Sequence, residues 1–424
     1  MSLTTTVRTF LQWEWERANS DDGIFNDFLP YSSLHEWIPE DSVYSDVFRG
    51  FELGRLAGVK ALNAVNFHTP GVTYFMSNHS RLDHSLVVGM VMEHILRRNK
   101  FSEGDVNTGI AAGLLHDIAT PAWGDAVMAI DIKNLHEEAA WREFLTPAGE
   151  DVLRKHGVTP GNLDDAIRNQ GLLGTILDIS DRITYVCKDL FSIYTGMYVQ
   201  THEGRDYLMQ FDSSHISQFT SHPIGDIYKD VFVEDGHACF ASPARLERFL
   251  RARVFLHQNY YLHPSSQARD LIMGSLANHF YSLHEGTLTP NALRHMDDYY
   301  LRNEISRLYP PAKAVPGCFE FWNASYKKID SEEAEEAVRR ELESDPNTII
   351  IGTRKIRDVN PALNYNVKHN GRIMPFSDAY PEQAADIQRT ASSIAGTYMF
   401  YSKADGTEIS DLLTHMKHDG LLPE

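Results

Sequence analysis

Two stretches of the chain decide how its core folds, SNHSRLDHSLVVGM at residues 77–90 and IAAGLLHDIATPAWGD at residues 110–125. In the first stretch apolar side chains recur at helical intervals after His84, which places this imidazole at the edge of an apolar stripe. In the second, apolar residues recur every three or four positions up to the adjacent pair His116 and Asp117. The pattern therefore predicts two amphipathic helices that direct these polar side chains toward the core.

Two imidazoles and a carboxylate are costly in an apolar interior unless a partner compensates them, and a divalent cation does so most completely. Asp181 offers a fourth ligand from LLGTILDISDRITYVCKDLF, residues 172–191, where the apolar spacing predicts another buried helix. Taken singly, a histidine on an apolar face is commonly a core residue, and acids on a helix are commonly solvated. Together, His84, His116, Asp117 and Asp181 predict a metal centre.

The helix around Asp181 also carries other polar groups near one face. Intervals of three, four and seven residues bring together Asp178, Asp181, Tyr185, Lys188 and Asp189. This face combines a candidate ligand, a hydroxyl group, a cation and further acids. We interpret it as one wall of a polar site rather than as a solvated helix face.

At these residues the chain resembles the HD-domain metal-dependent phosphohydrolases, whose H…HD…D signature is matched by His84, His116, Asp117 and Asp181. The surroundings resemble the branch of deoxynucleoside triphosphate triphosphohydrolases, which has an arginine three residues before the first histidine, as Arg81 is here. The resemblance covers about residues 55–309. It implies a helical HD-domain core that hydrolyses deoxynucleoside triphosphates to the nucleoside and inorganic triphosphate.

Further segments extend the resemblance to the substrate side. FLHQNYYLHP, residues 255–264, is similar to the family's substrate-side helix, and MDDYY, residues 296–300, resembles a later segment. Arginine can hold phosphate through two parallel hydrogen bonds, which suits Arg81 to that role. A core role for each aromatic residue stays open. The substrate-binding residues implied are Arg81, Lys188, Tyr185, Asp189, Tyr261 and His263.

The loop after His116 departs from the family pattern. The family usually continues HD-x-G-H-x-P-F-x-H, but Thr120 and Asp125 stand here in place of the two histidines. The second of these histidines transfers protons in the family, so we expect Asp125 or His136 to take that role, with His136 favoured because its ordinary pKa is near neutrality. A glutamine that contacts the sugar in the family corresponds to Ala61.

Composition limits the class of protein and of substrate. Hydrophobic residues make up 42% and charged residues 23%, as in soluble globular proteins, and 39 basic against 58 acidic residues give a formal charge of −19. Such a charge repels nucleic acid polymers and anionic membranes, whereas a few local cations and a metal still allow a small polyphosphate. Three dispersed cysteines and no signal-like or membrane-spanning stretch lead us to expect a cytoplasmic protein.

The order of predicted elements suggests two parts. Residues 1–310 are predicted to form the HD-domain helical core, interrupted near VFVEDGHACFAS, residues 231–242, by a β-hairpin. Helices are predicted to resume at 243–261. Residues 311–424 are predicted to form a smaller α+β module with a charged helix and several short strands. The fold class expected is therefore mainly α with an α+β C-terminal module.

The function that these features favour is metal-dependent hydrolysis of a deoxynucleoside triphosphate. Histidine with aspartate suits Mn²⁺, Fe²⁺, Zn²⁺ or Ni²⁺, and Mg²⁺ is less well matched to imidazole. Two alternatives stay open: a nucleotidase or phosphodiesterase acting on another small nucleotide, and a nucleotide sensor whose altered loop has lost turnover. The expected partner is a small-molecule nucleotide, and we expect a homo-oligomer.

Overall fold

The computed structural model describes most of the chain. The described residues are 42–51, 53–59, 61, 80–128, 140–202, 227–284, 292, 294–314 and 324–422, with the side chains of 125, 128, 191–202, 264, 265 and 314 left aside. Within these ranges no helix is both long and apolar enough to cross a membrane.

Helices dominate the first part of the chain. Short 3-10 helices at Leu53–Gly58 and Trp141–Phe144 separate some of them. In chain order they are α1 Val43–Gly50, α2 Arg81–Arg98, α3 Glu103–Leu115, α4 Gly124–Met128, α5 Pro147–Lys155, α6 Pro160–Ile167 and α7 Gly171–His202.

A β-hairpin follows, as the sequence predicts, and helices then resume. The predicted helix over 243–261 is shorter than expected, because α-helical bonding ends at Leu256 and a π-helical turn, His257–Tyr261, replaces the last turn. The elements are β1 Val231–Glu234, β2 His237–Phe240, α8 Pro243–Leu256, α9 Pro264–Leu283 and α10 Asp298–Leu308, with 3-10 turns at Ile227–Asp230 and Pro310–Ala314.

The last part of the chain mixes strands and helices. Its elements are β3 Ser325–Ile329, α11 Glu332–Glu343, β4 Thr348–Ile356, β5 Asn366–His369, β6 Arg372–Pro375, α12 Phe376–Ala379, α13 Pro381–Ser392, β7 Gly396–Lys403 and α14 Glu408–His418. The predicted fold class, mainly α with a smaller strand-containing C-terminal part, is confirmed.

Helix α2 begins at a capping box that sets the position of His84. The Ser80 hydroxyl accepts the backbone N–H of Asp83 at 3.1 Å, and a carboxylate oxygen of Asp83 accepts the backbone N–H of Ser80 at 3.0 Å. This reciprocal pair satisfies donors that a helix N-terminus otherwise leaves unpaired. His84 follows directly, so the start of the helix determines where its imidazole lies along the helix axis.

Close packing of α2 against α3 brings the two histidines together. A Cβ atom added to Gly113 would lie 2.6 Å from the backbone nitrogen of Gly89, so only glycine permits this approach of the two helices. The ring centroids of His84 and His116 are consequently 5.4 Å apart. Here a small-residue contact in the core sets the geometry of the polar site.

The strands form two sheets. The order β1-β2-β5-β6 is parallel between β2 and β5 and antiparallel elsewhere, and the second sheet has the antiparallel order β3-β7-β4. The first sheet therefore joins the hairpin that precedes α8 to strands from the last part of the chain. The boundary between residues 310 and 311 stays a prediction.

Two large apolar clusters hold the described parts together. The first gathers side chains of α1, α2, α3, α7 and α8 with residues between 359 and 391. The second gathers the region around Trp123, α9 and α10 with the second sheet and α14. Both clusters therefore contain residues from either side of position 310.

Candidate metal centre

Three metal-ligand side chains meet where α2 and α3 are closest. Candidate ligand atoms of His84, His116 and Asp117 all lie within 4.8 Å of one another. His84 comes from the first turns of α2, whereas His116 is the C-terminal cap residue of α3 and Asp117 follows it. The structure therefore brings these three predicted ligands together.

His116 is arranged as a ligand. Its Nδ1 lies 2.8 Å from the carbonyl oxygen of Gly113, so Nδ1 carries the hydrogen and Nε2 is left as the ligand atom. Among the described residues this buried Nε2 has no hydrogen-bond partner. A metal ion can replace the proton on such a nitrogen and satisfy it, so the donor set fits a divalent cation.

Asp181 approaches the same point from α7. Its Oδ1 atom lies 2.9 Å from Nε2 of His84 and 3.7 Å from Nε2 of His116. The Asp181 side chain is 34% exposed, whereas that of Asp117 is 7% exposed. The cluster is therefore closed on the Asp117 side and reaches solvent on the Asp181 side.

Charge compensation keeps the acids of this cluster ionised. Burial alone would raise the pKa of Asp117, but Arg81 and the two histidines lower it to about 2. The Nη1 atom of Arg81 donates to Oδ2 of Asp117 at 2.8 Å. Burial likewise opposes ionisation of Asp181, yet His116 and His84 hold its pKa well below the ordinary value. The centre thus presents two carboxylates and a neighbouring guanidinium.

The two imidazoles titrate differently. Burial lowers the pKa of His84, and the raising effect of Asp181 does not overcome it. Burial would also lower the pKa of His116, but Asp117, Asp181 and the carbonyl of Gly113 raise it to about 9. In the absence of a cation, a proton on His116 therefore supplies part of the positive charge that the acids require.

Beyond the metal ligands, α7 and the π-helical turn after α8 form an aromatic wall. The rings of Tyr185 and Tyr261 are 6.0 Å apart, and the ring of His257 lies 5.0 Å from that of Tyr261. The Tyr261 hydroxyl donates a hydrogen bond to Asp189. Burial, assisted by Arg253 and Arg182, lowers the pKa of His257 to about 3, which keeps this imidazole neutral.

Lys188 lies among acids on the inner side of α7. Burial lowers the pKa of its ammonium group, while Asp83 and Asp189 act in the opposite direction. Asp189 in turn has its pKa raised to about 7 by burial, against the lowering effects of Tyr261, Lys188 and Arg81. Four of the predicted substrate residues are therefore neighbours. Tyr261 contacts both Asp189 and Tyr185, and Asp189 interacts with Lys188.

The remaining predicted residues are placed less closely. His263 follows the π-helical turn, and its ring is 6.4 Å from that of Tyr326 in β3, so it borders the last part of the chain. The backbone of Asp125 lies in α4, but its side chain is outside the described residues, as are all atoms of His136. Their assignment to proton transfer stays a prediction.

The altered loop after Asp117 is buried and held by residues far along the chain. Arg55 donates to the carbonyl oxygen of Ile118 at 2.6 Å and to that of Met296 at 3.0 Å. Trp123 has a φ of +61°, an unusual conformation for a bulky residue, and its N–H donates to Asp298 at 2.8 Å. The MDDYY segment therefore braces this loop.

The sequence places Asp178 on the polar face of α7 but does not assign a role to Arg182, Arg253 or Tyr365. Arg182 donates through Nε and Nη2 to Oδ1 of Asp178, and its buried Nη1 has no hydrogen-bond partner within the described ranges. Tyr365 donates to the other oxygen of Asp178 at 2.8 Å, and Arg253 donates to the Tyr185 hydroxyl at 2.5 Å. The four-residue interval between Asp178 and Arg182 was a usable signal, but no local pattern marks Tyr365 or Arg253.

The chain is similar to a known protein family and to a bacterial relative. Residues 81–185 match the protein family described as HD domain. A Bacillus subtilis relative, described as the uncharacterized protein YwfO, is 24% identical over 359 residues, covering 76% of this chain and 71% of the relative.

Two solved structures share the fold. A phosphohydrolase from Bacteroides thetaiotaomicron has 16% sequence identity and a TM-score of 0.59, covering 86% of this chain and 96% of its own. A hypothetical protein from Aquifex aeolicus has 17% identity and a TM-score of 0.56, covering 88% and 95% respectively. The chain therefore contains an HD domain, whose His84, His116 and Asp117 can hold a divalent metal ion.

Proposed function

We propose that the chain is a metal-dependent phosphohydrolase that converts deoxynucleoside triphosphates to nucleosides and inorganic triphosphate. The observation that carries the proposal is the His84, His116 and Asp117 cluster with the guanidinium of Arg81 at its edge. A metal site with an adjacent fixed cation suits a substrate that brings several negative charges. The HD-domain match and the name of the Bacteroides structure support hydrolysis of a phosphate ester or anhydride.

Four residues would hold the ion: His84, His116, Asp117 and Asp181. When bound, a divalent ion lowers the pKa of a coordinated water and offsets charge that develops on phosphorus. The exposed side of Asp181 leaves an approach for water and substrate, because the side chains of the other three ligands are at most 13% exposed. The surrounding apolar helices hold the ligands in place.

Arginine and lysine side chains would receive the phosphates. Arg81 donates to the proposed metal ligand Asp117, so its guanidinium lies close enough to the site to bind an anionic group of the substrate. We add Arg182 to the predicted set, because its buried Nη1 can donate to an anion without breaking the bonds to Asp178. Lys188 lies on α7, the helix that also carries Arg182. The neighbouring acids Asp83 and Asp189 offset part of the positive charge that Lys188 would present to a phosphate.

The aromatic wall would receive the nucleoside. Tyr185 and Tyr261 offer ring faces and edges, and His257 stays neutral, so the wall is largely apolar in character. Asp189, already hydrogen-bonded by Tyr261, is proposed to accept from the sugar 3′-hydroxyl. His263 is proposed to border this end. The replacement of the family's glutamine by Ala61 leaves the sugar preference to be measured.

Proton transfer is assigned to His136, with Asp125 as the carboxylate that orients it. Histidine has an ordinary pKa near neutrality, which suits a residue that must accept and return a proton at cellular pH. Thr120, which stands in place of the first family histidine, is fully buried and its hydroxyl has no hydrogen-bond partner in the described chain. Because it is enclosed, Thr120 is not placed to exchange a proton with a bound substrate.

A nucleotidase or phosphodiesterase acting on another small nucleotide is a second candidate, since the metal cluster does not select a leaving group. A nucleotide sensor is a third, because Asp125 departs from the family pattern. We also propose that the chain binds neither nucleic acid polymers nor membranes, works in the cytoplasm and forms a homo-oligomer, consistent with its formal charge of −19 for the first two.

Product analysis tests the proposal directly. The protein is incubated with each deoxynucleoside triphosphate and with Mn²⁺, Fe²⁺, Zn²⁺, Ni²⁺ or Mg²⁺, and nucleoside, monophosphate, phosphate and triphosphate are separated by ion-exchange chromatography. Release of inorganic triphosphate and nucleoside in equal amounts is expected. Release of phosphate or monophosphate would favour the second candidate, and saturable binding without any release would favour the sensor.

A further inference from the structure

Tyr365 links the last part of the chain to the wall of the metal site. Its hydroxyl donates to Oδ2 of Asp178 at 2.8 Å, while Oδ1 of the same carboxylate accepts Nε and Nη2 of Arg182 at 2.9 and 2.7 Å. The Arg182 guanidinium also lies 5.8 Å from the centroid of the Tyr365 ring. Arg182 is thus held both through Asp178 and by the ring face.

The segment that carries Tyr365 is itself well fixed. Its ring is 6% exposed and packs 5.6 Å from the ring of Phe240, in the hairpin before α8. Its backbone carbonyl accepts the N–H of Phe376 at 2.8 Å, and its N–H donates to Ala362 at 3.2 Å. Because the backbone and the ring of Tyr365 are both fixed, its hydroxyl can determine the position of the Asp178 carboxylate.

The same segment reaches a second arginine of the wall. Arg253 donates through Nη1 to the carbonyl oxygen of Asn360 and through Nε to the Tyr185 hydroxyl. The loop between β4 and β5 therefore contacts two arginines: Arg182 on α7 and Arg253 on α8. Arg253 in turn holds the Tyr185 hydroxyl. These contacts are the direct evidence that the C-terminal part completes the wall.

We propose that Tyr365 is a positioning residue that sets the Arg182 guanidinium, through Asp178, for an anionic group of the substrate. This inference rests on the proposed function and extends it to the C-terminal part. Because Asp178 is held at both oxygens, it fixes the direction in which the Nη1 atom of Arg182 points. The arginine side chain then loses less conformational entropy when an anion binds. Without the Tyr365 hydroxyl, Asp178 can rotate and Arg182 loses that direction.

The test compares Tyr365→Phe, Arg182→Ala, the double variant and wild type. Tyr380→Phe is the matched control, since that tyrosine also belongs to the C-terminal part but its hydroxyl lies 3.3 Å from His369. The readouts are kcat and KM for deoxynucleoside triphosphates, and the Kd of the Mn²⁺-loaded protein for inorganic triphosphate by calorimetry. The second readout does not require turnover.

Tyr365→Phe is expected to raise KM and Kd about three- to tenfold with kcat nearly unchanged, and Arg182→Ala to raise them by about tenfold or more. The double variant should match Arg182→Ala, because Tyr365 acts through that arginine. Unchanged KM and Kd for Tyr365→Phe, or losses that multiply in the double variant, would overturn the proposal. A merely structural tyrosine would lower thermal stability and give such multiplied losses.

The two proposals fail in different ways. If wild type binds triphosphate but releases no product, hydrolysis is wrong and the Kd series still decides the role of Tyr365. If wild type hydrolyses its substrate and the Tyr365→Phe series is flat, hydrolysis stands and the positioning role is wrong. A wild-type protein that neither binds triphosphate nor releases product would overturn both.

Discussion

Arg81→Ala separates a phosphate-binding arginine from a purely structural one, because its effect on stability should depend on metal. Nη1 of Arg81 lies 2.8 Å from Oδ2 of Asp117, and the two side chains are 16% and 7% exposed. Removing one partner of a buried ion pair costs about 3–5 kcal/mol, and the neighbouring histidines reduce this to roughly 1–3 kcal/mol here. Without metal, the melting temperature should therefore fall by about 1–3 °C.

Saturating Mn²⁺ should remove most of that loss, since a bound cation compensates Asp117 in place of the guanidinium. Catalysis should not recover: a charged hydrogen bond to phosphate is worth about 1.5–3 kcal/mol, which corresponds to a fall in kcat/KM of roughly 10- to 150-fold. The assays are differential scanning fluorimetry with chelator or Mn²⁺, and initial rates of triphosphate release.

Arg142→Ala is the control, because its 49% exposed side chain makes a comparable contact with Asp164, at 3.1 Å and away from the metal ligands. It should leave kcat/KM unchanged and shift the melting temperature by the same small amount with and without metal. An Arg81→Ala protein with unchanged kcat/KM and a metal-independent stability loss would refute the reasoning.

Four further substitutions test the site. Asp117→Ala should remove bound metal and activity together, and elemental analysis that finds full metal occupancy would contradict the ligand assignment. His136→Ala should lower kcat by about 10² to 10⁴ without displacing metal, whereas Asp125→His, which restores the family residue, should keep or raise kcat; a His136→Ala enzyme of normal kcat would exclude this base. Asp189→Asn should stabilise the protein more at pH 8 than at pH 5. Burial raises the pKa of Asp189 to about 7 despite Tyr261, Lys188 and Arg81, so the folded state keeps a proton that the unfolded state has released, and wild-type stability falls as pH rises toward that value. Melting curves across pH with a constant difference between the two proteins would contradict it.

The residues predicted from helical spacing are those that the structure brings together. His84 and the pair His116 and Asp117 were identifiable because each ends or begins an apolar stripe, and local periodicity determines which way such a side chain points. Asp181 was identifiable for the same reason, together with the family signature. Each of these inferences needs only the residues within a few turns of one helix.

Contacts between distant segments were not predictable in this way. Tyr365 and Asp178 are 187 positions apart, and Trp123 and Asp298 are 175 apart. The sequence around each of these residues does not indicate that Tyr365 will bind Asp178, or that Trp123 will bind Asp298. The π-helical turn at His257–Tyr261 was missed for a related reason, since its residues do not differ from those of a regular helix in periodicity.

The parallel pairing of β2 with β5 has a consequence for synthesis of the chain. Cys239 and Phe240 pair with Asn366 and Val367, so the edge of the hairpin stays open until more than a hundred further residues have been made. Open strand edges can pair with other chains, and contacts between distant residues form slowly. A ribosome-bound chain that already contains the four proposed metal ligands therefore still lacks the strand that pairs with this edge of β2, and the last quarter of the chain supplies it.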